Sequence, residues 1–306
     1  MATGDTGWSE YWEKDGADGE VFVNAQGNKH PALADYWQAA FADMPAGSRI
    51  VDVASGAGSI YAHLPADHGF ELHAVDIAAE ALQALANRIP GVQATVSAAE
   101  DMPFDDRSFE LVVSQFGIEY AGTGAFAEAA RLVKGAGRLV VLAHVVDGYI
   151  DSNNKAQLDE ALLTRELDFI GQAESLTRTA FGNNAKALAD NEQAFIPVIG
   201  TLRQAVGRCP QGVHAHLLAG FRQLYENRHQ YDAADILTWL EGMDGELDKA
   251  IDRLTRMRAA ALSEKDMAAI MDGLKSTGFV EIESDPFLTP GNDRPVAWSL
   301  IARRTN

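Results

Sequence analysis

An acidic side chain and a run of small residues stand together early in the chain, a combination that can bind a polar ligand. Segment 51–60 reads Val-Asp-Val-Ala-Ser-Gly-Ala-Gly-Ser-Ile. Small residues in a turn let a ligand lie against backbone N–H groups, and the amino end of a following helix favours negative charge. A dinucleotide-binding turn needs a third glycine three residues after Gly58, where the chain has Tyr61, so NAD and FAD are disfavoured. The alternative is a plain strand-to-helix turn.

Two further segments place polar groups where the same ligand would extend. Asp76 closes the second apolar run, where its carboxylate can accept hydrogen bonds from both hydroxyls of a ribose, and Ile77 offers an apolar face to a base. Asp76 can also cap the helix that begins near Ala78, and the two roles are compatible. Segment 99–104, Ala-Glu-Asp-Met-Pro-Phe, follows the third run and brings a backbone amide and two acids to where an adenine amino group could be recognised.

These residues belong to a pattern of short apolar runs that alternate with helical periodicity, which is typical of βαβ units and a parallel sheet. The predicted strands are residues 49–53, 71–75, 92–96, 110–114 and 137–144, and the helices between them are 59–64, 78–88 and 125–133. A helix at 264–276 and two strands at 280–284 and 296–302 follow later. The predicted fold class is α/β, a Rossmann-like doubly wound sheet that binds its ligands at the carboxyl ends of the strands.

Composition limits the partners of the protein. The 306 residues carry a formal charge of -19, whereas nucleic-acid binders normally present a basic surface, so no nucleic acid is expected. Cys209 is the one cysteine, and His214, His216 and His229 lack a spacing that indicates a metal site, so no metal is expected. Residues 1–12 have no basic-then-apolar leader, and no segment has the apolar length of a membrane span, so we expect a cytoplasmic protein with no membrane partner.

Four motifs in order resemble the class I S-adenosylmethionine (SAM)-dependent methyltransferases. They are the turn at 51–58, Ala-Val-Asp-Ile at 74–77, segment 99–104 with Ser-Phe-Glu-Leu-Val-Val-Ser at 108–114, and Ala-Arg-Leu-Val-Lys-Gly-Ala-Gly-Arg-Leu-Val at 130–140. Within the family, the chain is most similar to the branch with the ubiquinone and menaquinone biosynthesis C-methyltransferases. The final two strands resemble the antiparallel pair that closes the family's seven-stranded sheet.

The resemblance implies SAM as methyl donor and S-adenosylhomocysteine as product. It assigns the methionine part of SAM to Asp52 and to four turn residues, Ala54, Ser55, Gly56 and Gly58. It assigns the ribose to Asp76 and the adenine to Ile77 and Ala99.

Two positions depart from the family pattern. Ala54 replaces the first glycine of the turn, which costs little if its φ is negative, as we expect. Ala98 stands where an aspartate commonly contacts the adenine amino group, and we expect Glu100 or Asp101 to take over that contact.

The run after the fourth strand should border both SAM and the methyl acceptor, because ligands in this fold bind at the carboxyl ends of the strands. Ser114 and Gln115 are candidate cofactor contacts, and Phe116 is a candidate wall beside the methyl group. Helix capping and packing are the alternatives for this run.

Methyl transfer depends mainly on holding the nucleophile in line with the carbon–sulfur bond, and it needs a base only where the acceptor is protonated. The candidate catalytic residues are Glu119 and Tyr120, which could orient or deprotonate an acceptor, and His144, the histidine best placed for a base. A structural role is the alternative for each of them.

The alternation of strands and helices stops after the fifth strand, and this suggests four segments. They are an N-terminal helical arm (1–46), a SAM-binding core (47–147), a helical insertion (148–262), and a last helix with the closing strands (263–306).

Two of these segments carry aromatic residues of interest. The insertion is expected to act as a lid over the acceptor or as a homodimer interface, and the residues that would select the substrate are Phe221, Tyr225, Tyr231 and Trp239. In the arm, Trp8, Tyr11 and Trp12 either anchor the segment or close over SAM, which makes Tyr11 a candidate cofactor contact.

The leading hypothesis is an enzyme that methylates a small organic acceptor. The rivals are a protein or peptide methyltransferase and a SAM-binding protein without turnover. A nicotinamide-dependent oxidoreductase is disfavoured by Tyr61 and by the closing strand pair.

Overall fold

A seven-stranded sheet organises the chain in the computed structural model, which describes residues 30–65 and 67–305. The strands are β1 (Arg49–Val53), β2 (Glu71–Asp76), β3 (Gln93–Val96), β4 (Phe109–Gln115), β5 (Val133–His144), β6 (Phe279–Phe287) and β7 (Ala297–Arg304). Their order is β3-β2-β1-β4-β5-β7-β6. The first five strands pair in parallel, and β7 is antiparallel to both β5 and β6. The predicted α/β sheet with a closing antiparallel pair is confirmed.

The register of the sheet brings the candidate site residues to one edge. Asp52 lies opposite Ala74 of β2 and Val113 of β4. The order of the strands reverses between β1 and β4, and the crevice at such a reversal is where open α/β sheets bind ligands. The ends of β1, β2, β4 and β5 therefore share the edge at which a ligand is expected.

Helices cover the sheet and form the insertion. They are α1 (Pro31–Phe41), α2 (Ala79–Arg88), α3 (Thr123–Leu132), α4 (Tyr149–Glu166), α5 (Phe169–Ala180), α6 (Ala185–Arg208), α7 (Val213–Glu226), α8 (Ala233–Ala260) and α9 (Glu264–Ser276). Short 3₁₀ helices occupy Tyr61–His63, Ile118–Ala121 and Arg228–Gln230.

Apolar residues at helical spacing attach these helices to the sheet. In α1, Leu33, Trp37 and Phe41 are buried at positions three to four residues apart, which places them on one face of the helix. They join a core cluster that includes Ile50 of β1. A second cluster holds Phe126 of α3 together with residues of β1, β4, β5 and α9. Burial of each such side chain contributes roughly 1.5–3 kcal/mol.

The predicted helix at 59–64 is wrong, because the segment forms only the 3₁₀ turn Tyr61–His63. Leu64 precedes Pro65 and has extended angles (φ -76°, ψ 143°), as the clash with a proline ring requires, so a helix cannot continue through it. Tyr61 is buried, and its hydroxyl donates to the carbonyl oxygens of Ile50 (3.3 Å) and His73 (2.5 Å), which fixes the turn to the sheet. A ligand at this turn therefore meets individual turn amides rather than the dipole of a full helix.

The chain divides into two compact units, one made of residues 1–151 with 260–306 and the other of 152–259. The second unit is helical and has its own core. Three rings, Phe169, Phe195 and Phe221, pack with centroids 5.1–5.9 Å apart. Arg208 of α6 donates to both carboxylate oxygens of Glu160 of α4 (2.8 and 2.9 Å), a bidentate ion pair that fixes these two helices.

No helix within residues 30–65 and 67–305 combines the length and the apolar character that crossing a bilayer requires.

Candidate functional site

The turn after β1 has left-handed backbone at three positions. φ is +53° at Ala54, +51° at Gly56 and +79° at Gly58. The expected negative φ at Ala54 is therefore wrong, and a Cβ in this region costs about 1–2 kcal/mol. Glycine is required at position 58, because an added Cβ would lie 2.9 Å from Cγ of Leu85. The turn is closed by the Gly58 N–H, which donates to the Ser55 carbonyl oxygen at 2.9 Å.

The turn after β4 packs directly against Ala54. Phe116 also has a left-handed φ of +53°. The next residue is Gly117, and an added Cβ there would lie 2.5 Å from the carbonyl oxygen of Ala54 and 2.7 Å from its Cβ. Two strained non-glycine residues thus flank the point where the strand order reverses. Such strain costs about 1–3 kcal/mol per residue and is concentrated at functional sites.

Asp52 is a buried acid without a hydrogen-bond partner. Its side chain is near the carboxyl end of β1, the residue is 1% exposed, and neither carboxylate oxygen has a partner in the described structure. Burial, and secondarily the charge of Asp76, raises the pKa of Asp52 well above its ordinary value. Buried polar atoms normally have partners, so this exception needs an explanation.

Asp76, in contrast, has both oxygens occupied by backbone amides. Oδ2 accepts from the Gly56 N–H at 2.8 Å, and Oδ1 accepts from the Ala78 N–H at 2.9 Å. The carboxylate thus connects the glycine turn to the start of α2, as the helix-capping alternative expected. Burial still raises the pKa of Asp76 above its ordinary value, although the backbone amides oppose this effect.

The candidate adenine contacts lie at the ends of β2 and β3. Ile77 is 44% exposed, and Ala99 is buried in the core beneath the sheet edge. Glu100 and Asp101 are both exposed, so the structure leaves either side chain free to turn toward a base.

An arginine and a glutamate of α3 hold the loop that follows Asp101. Arg131 donates to the carbonyl oxygens of Met102 (3.1 Å) and Phe104 (2.8 Å), and Glu128 accepts from the Met102 N–H at 2.8 Å. The Arg131 guanidinium also lowers the pKa of Glu128 below its usual range. This network determines the path of the loop and therefore the position of the candidate adenine contacts.

Ser114 and Gln115 make internal hydrogen bonds in the structure. The fully buried Ser114 hydroxyl donates to the Val53 carbonyl oxygen (2.7 Å) and accepts from the Ile118 N–H (3.2 Å). Gln115 accepts from Trp37 Nε1 (2.5 Å) and donates to the Ser59 hydroxyl (3.1 Å). Ser114 thus joins β1 to β4, and its role as a cofactor contact stays a prediction, as does that of Gln115.

Glu119, in the 3₁₀ turn after β4, and His144, the last residue of β5, form a buried pair. Oε1 of Glu119 accepts from the backbone N–H of His144 (2.8 Å) and lies 2.6 Å from its Nδ1. Glu119 is 3% exposed and His144 is 1% exposed. Within the described residues, Oε2 of Glu119 and Nε2 of His144 are buried without a partner. The fold therefore brings together two of the three residues that the sequence nominated for catalysis.

Aromatic rings flank the imidazole of that pair. The Phe116 ring lies 4.8 Å from it between centroids, and the half-buried Tyr120 ring meets it edge-on at 5.8 Å. The third nominated residue, Tyr120, thus lies beside the pair and contacts its histidine.

Other candidates belong to the helical unit or fall outside the described residues. Tyr11, with Trp8 and Trp12, falls outside the described residues. Phe221 is a core residue of the helical unit, and the other nominated aromatic residues pack partly buried against that core, namely Tyr225, Tyr231 and Trp239. Their role in substrate selection stays a prediction.

Sequence reasoning missed Trp37 and Arg131. The apolar spacing in α1 indicates that Trp37 is buried but not that its indole N–H holds Gln115. Arg131 lies in a quoted motif, yet its carbonyl partners are about 27–29 residues away and only the fold brings them close.

One family model matches the core of this first unit. Residues 51–141 match the model described as a methyltransferase domain. This range begins in β1, ends in β5 and includes the glycine turn, Asp76 and Glu119.

Two curated relatives match part of the same region, and both are demethylmenaquinone methyltransferases. The protein of Chlorobaculum tepidum is 36% identical over 70 residues, which is 23% of this chain and 29% of the relative. The protein of Renibacterium salmoninarum is 34% identical over 97 residues, which is 31% of this chain and 40% of the relative. The match thus spans less than half the length of either relative.

Solved structures give weaker likenesses. A protein described as an S-adenosyl-L-methionine-dependent methyltransferase of Methanococcus maripaludis is 13% identical, with 90% of this chain and 85% of that chain covered and a TM-score of 0.42. A geranyl diphosphate methyltransferase solved with GPP and sinefungin is 20% identical, with 38% of this chain and 46% of that chain covered and a TM-score of 0.35.

Proposed function

We propose that this chain is a class I SAM-dependent methyltransferase and that it transfers a methyl group from SAM to a small organic acceptor. The names of the curated relatives support the acceptor class, because demethylmenaquinone is a small organic molecule. The match covers only part of those relatives, so the acceptor of this protein need not be theirs.

The unpartnered carboxylate of Asp52 is the observation that carries the proposal. A buried acid without a partner is costly, and a cationic ligand group would remove that cost. SAM fits, because its methionine part carries an ammonium and its sulfur is a sulfonium. The neighbouring buried Asp76 increases the preference of this edge for positive charge.

The remaining contacts of SAM follow from the same edge of the sheet. The Asp76 carboxylate accepts backbone N–H groups at both oxygens, and its remaining lone-pair capacity is available to a ribose hydroxyl. Ile77 offers exposed apolar surface for the adenine, and Glu100 or Asp101 supplies the contact to its amino group. We expect Glu100→Ala or Asp101→Ala to weaken SAM binding. Unchanged affinity in both variants would refute the proposal that one of these acids contacts the adenine amino group.

The chain's own residues orient the methyl donor and exclude water from the reacting atoms. Bound SAM supplies a methyl carbon that is already electron-poor. Asp52 and the glycine turn orient the donor, and orientation alone can supply several kcal/mol, within the roughly 7–11 kcal/mol that proximity provides at best. Phe116, held in a left-handed conformation beside Ala54, excludes water from the reacting atoms.

The helical unit at 152–259 is proposed to select the acceptor, as its place in the sequence after β5 suggests. Tyr231→Ala would then raise the KM for the acceptor and leave the affinity for SAM unchanged. An unchanged KM in this variant and in Trp239→Ala would contradict the role of these rings.

Incubation with SAM and fractionated metabolites, passed through a small-pore filter, tests the function. Release of S-adenosylhomocysteine that requires the filtrate supports a small acceptor. Release only with the retained protein fraction would favour a protein methyltransferase. SAM binding without release in any fraction would favour a binding protein and refute turnover.

A further inference from the structure

The pair formed by Glu119 and His144 lies after β4 and at the end of β5, on the sheet edge where a ligand is expected, and its geometry is that of an oriented base. Oε1 of Glu119 contacts both the backbone N–H and Nδ1 of His144. An ionised carboxylate can only accept a hydrogen at Nδ1, so a neutral imidazole paired with it carries its proton on Nδ1 and keeps its lone pair on Nε2. A carboxylate that orients an imidazole in this way is a recurring arrangement where histidine serves as a base.

We propose that His144 is a general base that deprotonates the acceptor and that Glu119 is its positioning residue. The inference rests on the proposed function and narrows its substrate class. The acceptor is an organic molecule whose nucleophilic atom carries a proton at neutral pH, such as a phenolic or enolic hydroxyl. An acceptor that is already a free nucleophile would need no base.

The buried, unpartnered state of the pair supports a ligand there. Both Nε2 of His144 and Oε2 of Glu119 lack partners, although buried polar atoms nearly always have one. A purely structural role for Glu119 explains Oε1, which joins the 3₁₀ turn Ile118–Ala121 to the end of β5. That structural role does not explain why Oε2 of Glu119 and Nε2 of His144 each have an unused lone pair. An acceptor that donates its proton to Nε2 satisfies that atom.

The reaction balances without a further reagent. The bond from the acceptor's nucleophilic atom to hydrogen breaks as Nε2 takes the proton, and a new bond forms from that atom to the methyl carbon. The carbon–sulfur electron pair stays on sulfur and gives neutral S-adenosylhomocysteine. The imidazolium, paired with the Glu119 carboxylate, then loses its proton to solvent.

Several groups face the His144 ring within the described residues. They are the Glu119 carboxylate, the Tyr120 ring and the Phe116 ring. The residue paired with His144 on β7 is Ala297, which is uncharged.

The first test is nitrogen-15 NMR of the imidazoles in the whole protein with S-adenosylhomocysteine bound. We expect neutral His144 to carry its proton on Nδ1. His214 is the internal control, because it is also fully buried but points its Nε2 at the Cys209 carbonyl oxygen at 2.6 Å. It should show the opposite tautomer. A proton on Nε2 of His144 would overturn the proposal, whatever the turnover.

The second test is release of S-adenosylhomocysteine with the active metabolite filtrate as a function of pH. His144→Gln should lose about 10²–10⁴-fold in rate, and the pH profile of its rate should differ from that of the wild type. Glu119→Gln, which keeps the shape of the side chain, should lose at least about tenfold. The matched control His214→Gln should keep the wild-type rate and pH profile. Binding of S-adenosylhomocysteine should survive in all three variants.

The outcomes separate this inference from the proposed function. Wild-type rate and pH profile in His144→Gln would overturn the base and leave methyl transfer standing. If the wild-type protein binds SAM but releases no S-adenosylhomocysteine with any fraction, turnover is refuted, and the role of His144 as a base is refuted with it. If His144→Gln does not fold, the proposal is tested by the turnover of Glu119→Gln and by the tautomer of His144 in the wild-type protein.

Discussion

Asp52→Asn replaces the buried carboxyl by a neutral group of the same shape and should stabilise the free protein. Because burial raises the pKa of Asp52 above its unfolded value, the contribution of this group to stability is fully present below the unfolded pKa and is lost as pH rises through the folded pKa. At neutral pH the Asn variant should gain about 1–3 kcal/mol, the cost of an unsatisfied buried group. The gain should vanish below about pH 4, where the wild-type carboxyl is protonated in both states.

The same substitution should weaken SAM binding. A unit positive charge about 4 Å from the carboxylate interacts with it by about 4 kcal/mol at an effective dielectric constant of about 20, which corresponds to about 3 pKa units. Desolvation of the ligand's ammonium removes part of this energy. A net loss of about 1.5–3 kcal/mol, roughly 10- to 150-fold in Kd, is expected for a hydrogen bond to a charged group.

Isothermal titration calorimetry at about pH 6, in two buffers of different ionisation enthalpy, measures the affinity for SAM and the number of protons released when SAM binds. Wild-type protein should release protons when SAM binds, because the ammonium lowers the pKa of Asp52. Asp52→Asn should release fewer protons and bind more weakly. Asp272→Asn is the control, since it removes the same charge from an exposed side chain of α9. Equal affinity and equal proton release in wild type and Asp52→Asn would refute the role of this acid.

Three further substitutions test the turn and the helical unit. Ala54→Gly should raise the free energy of unfolding by up to about 1 kcal/mol, because it removes a Cβ from a residue with a φ of +53°. Ala130→Gly inside α3 should lower it by about 1 kcal/mol. Equal losses in the two variants would contradict the strain at Ala54. Gly58→Ala should abolish measurable SAM binding in calorimetry because its Cβ would collide with Leu85, and wild-type affinity would contradict the turn's geometry. Phe195→Ala should lower the denaturation free energy by about 3–5 kcal/mol, and a loss below about 1 kcal/mol would contradict its place in the core.

The central strands could be predicted from the sequence because they are apolar on both faces. The runs at 49–53 and 71–75 stand out from their polar flanks, and the structure has β1 at the first and β2 one residue longer than the second. The family resemblance supplied the closing antiparallel pair. The helix at 59–64 failed because its apolar spacing outweighed a stop signal that was present, Pro65.

The candidate site was predictable in place but not in detail. Glu119 and His144 each follow a predicted strand, so their shared edge follows from the parallel sheet. Their contact 25 residues apart in sequence depends on the 3₁₀ turn, which no local pattern indicates. The φ of Ala54 also escaped prediction, because alanine ordinarily avoids the left-handed region and only packing against Gly117 shows that the turn requires it.

A crystal structure of the protein grown with S-adenosylhomocysteine tests the central claim most directly. The account predicts the amino group of the ligand against the Asp52 carboxylate and the ribose hydroxyls on Asp76, at the carboxyl ends of β1 and β2. A ligand bound elsewhere, or an empty edge at saturating ligand, would contradict it.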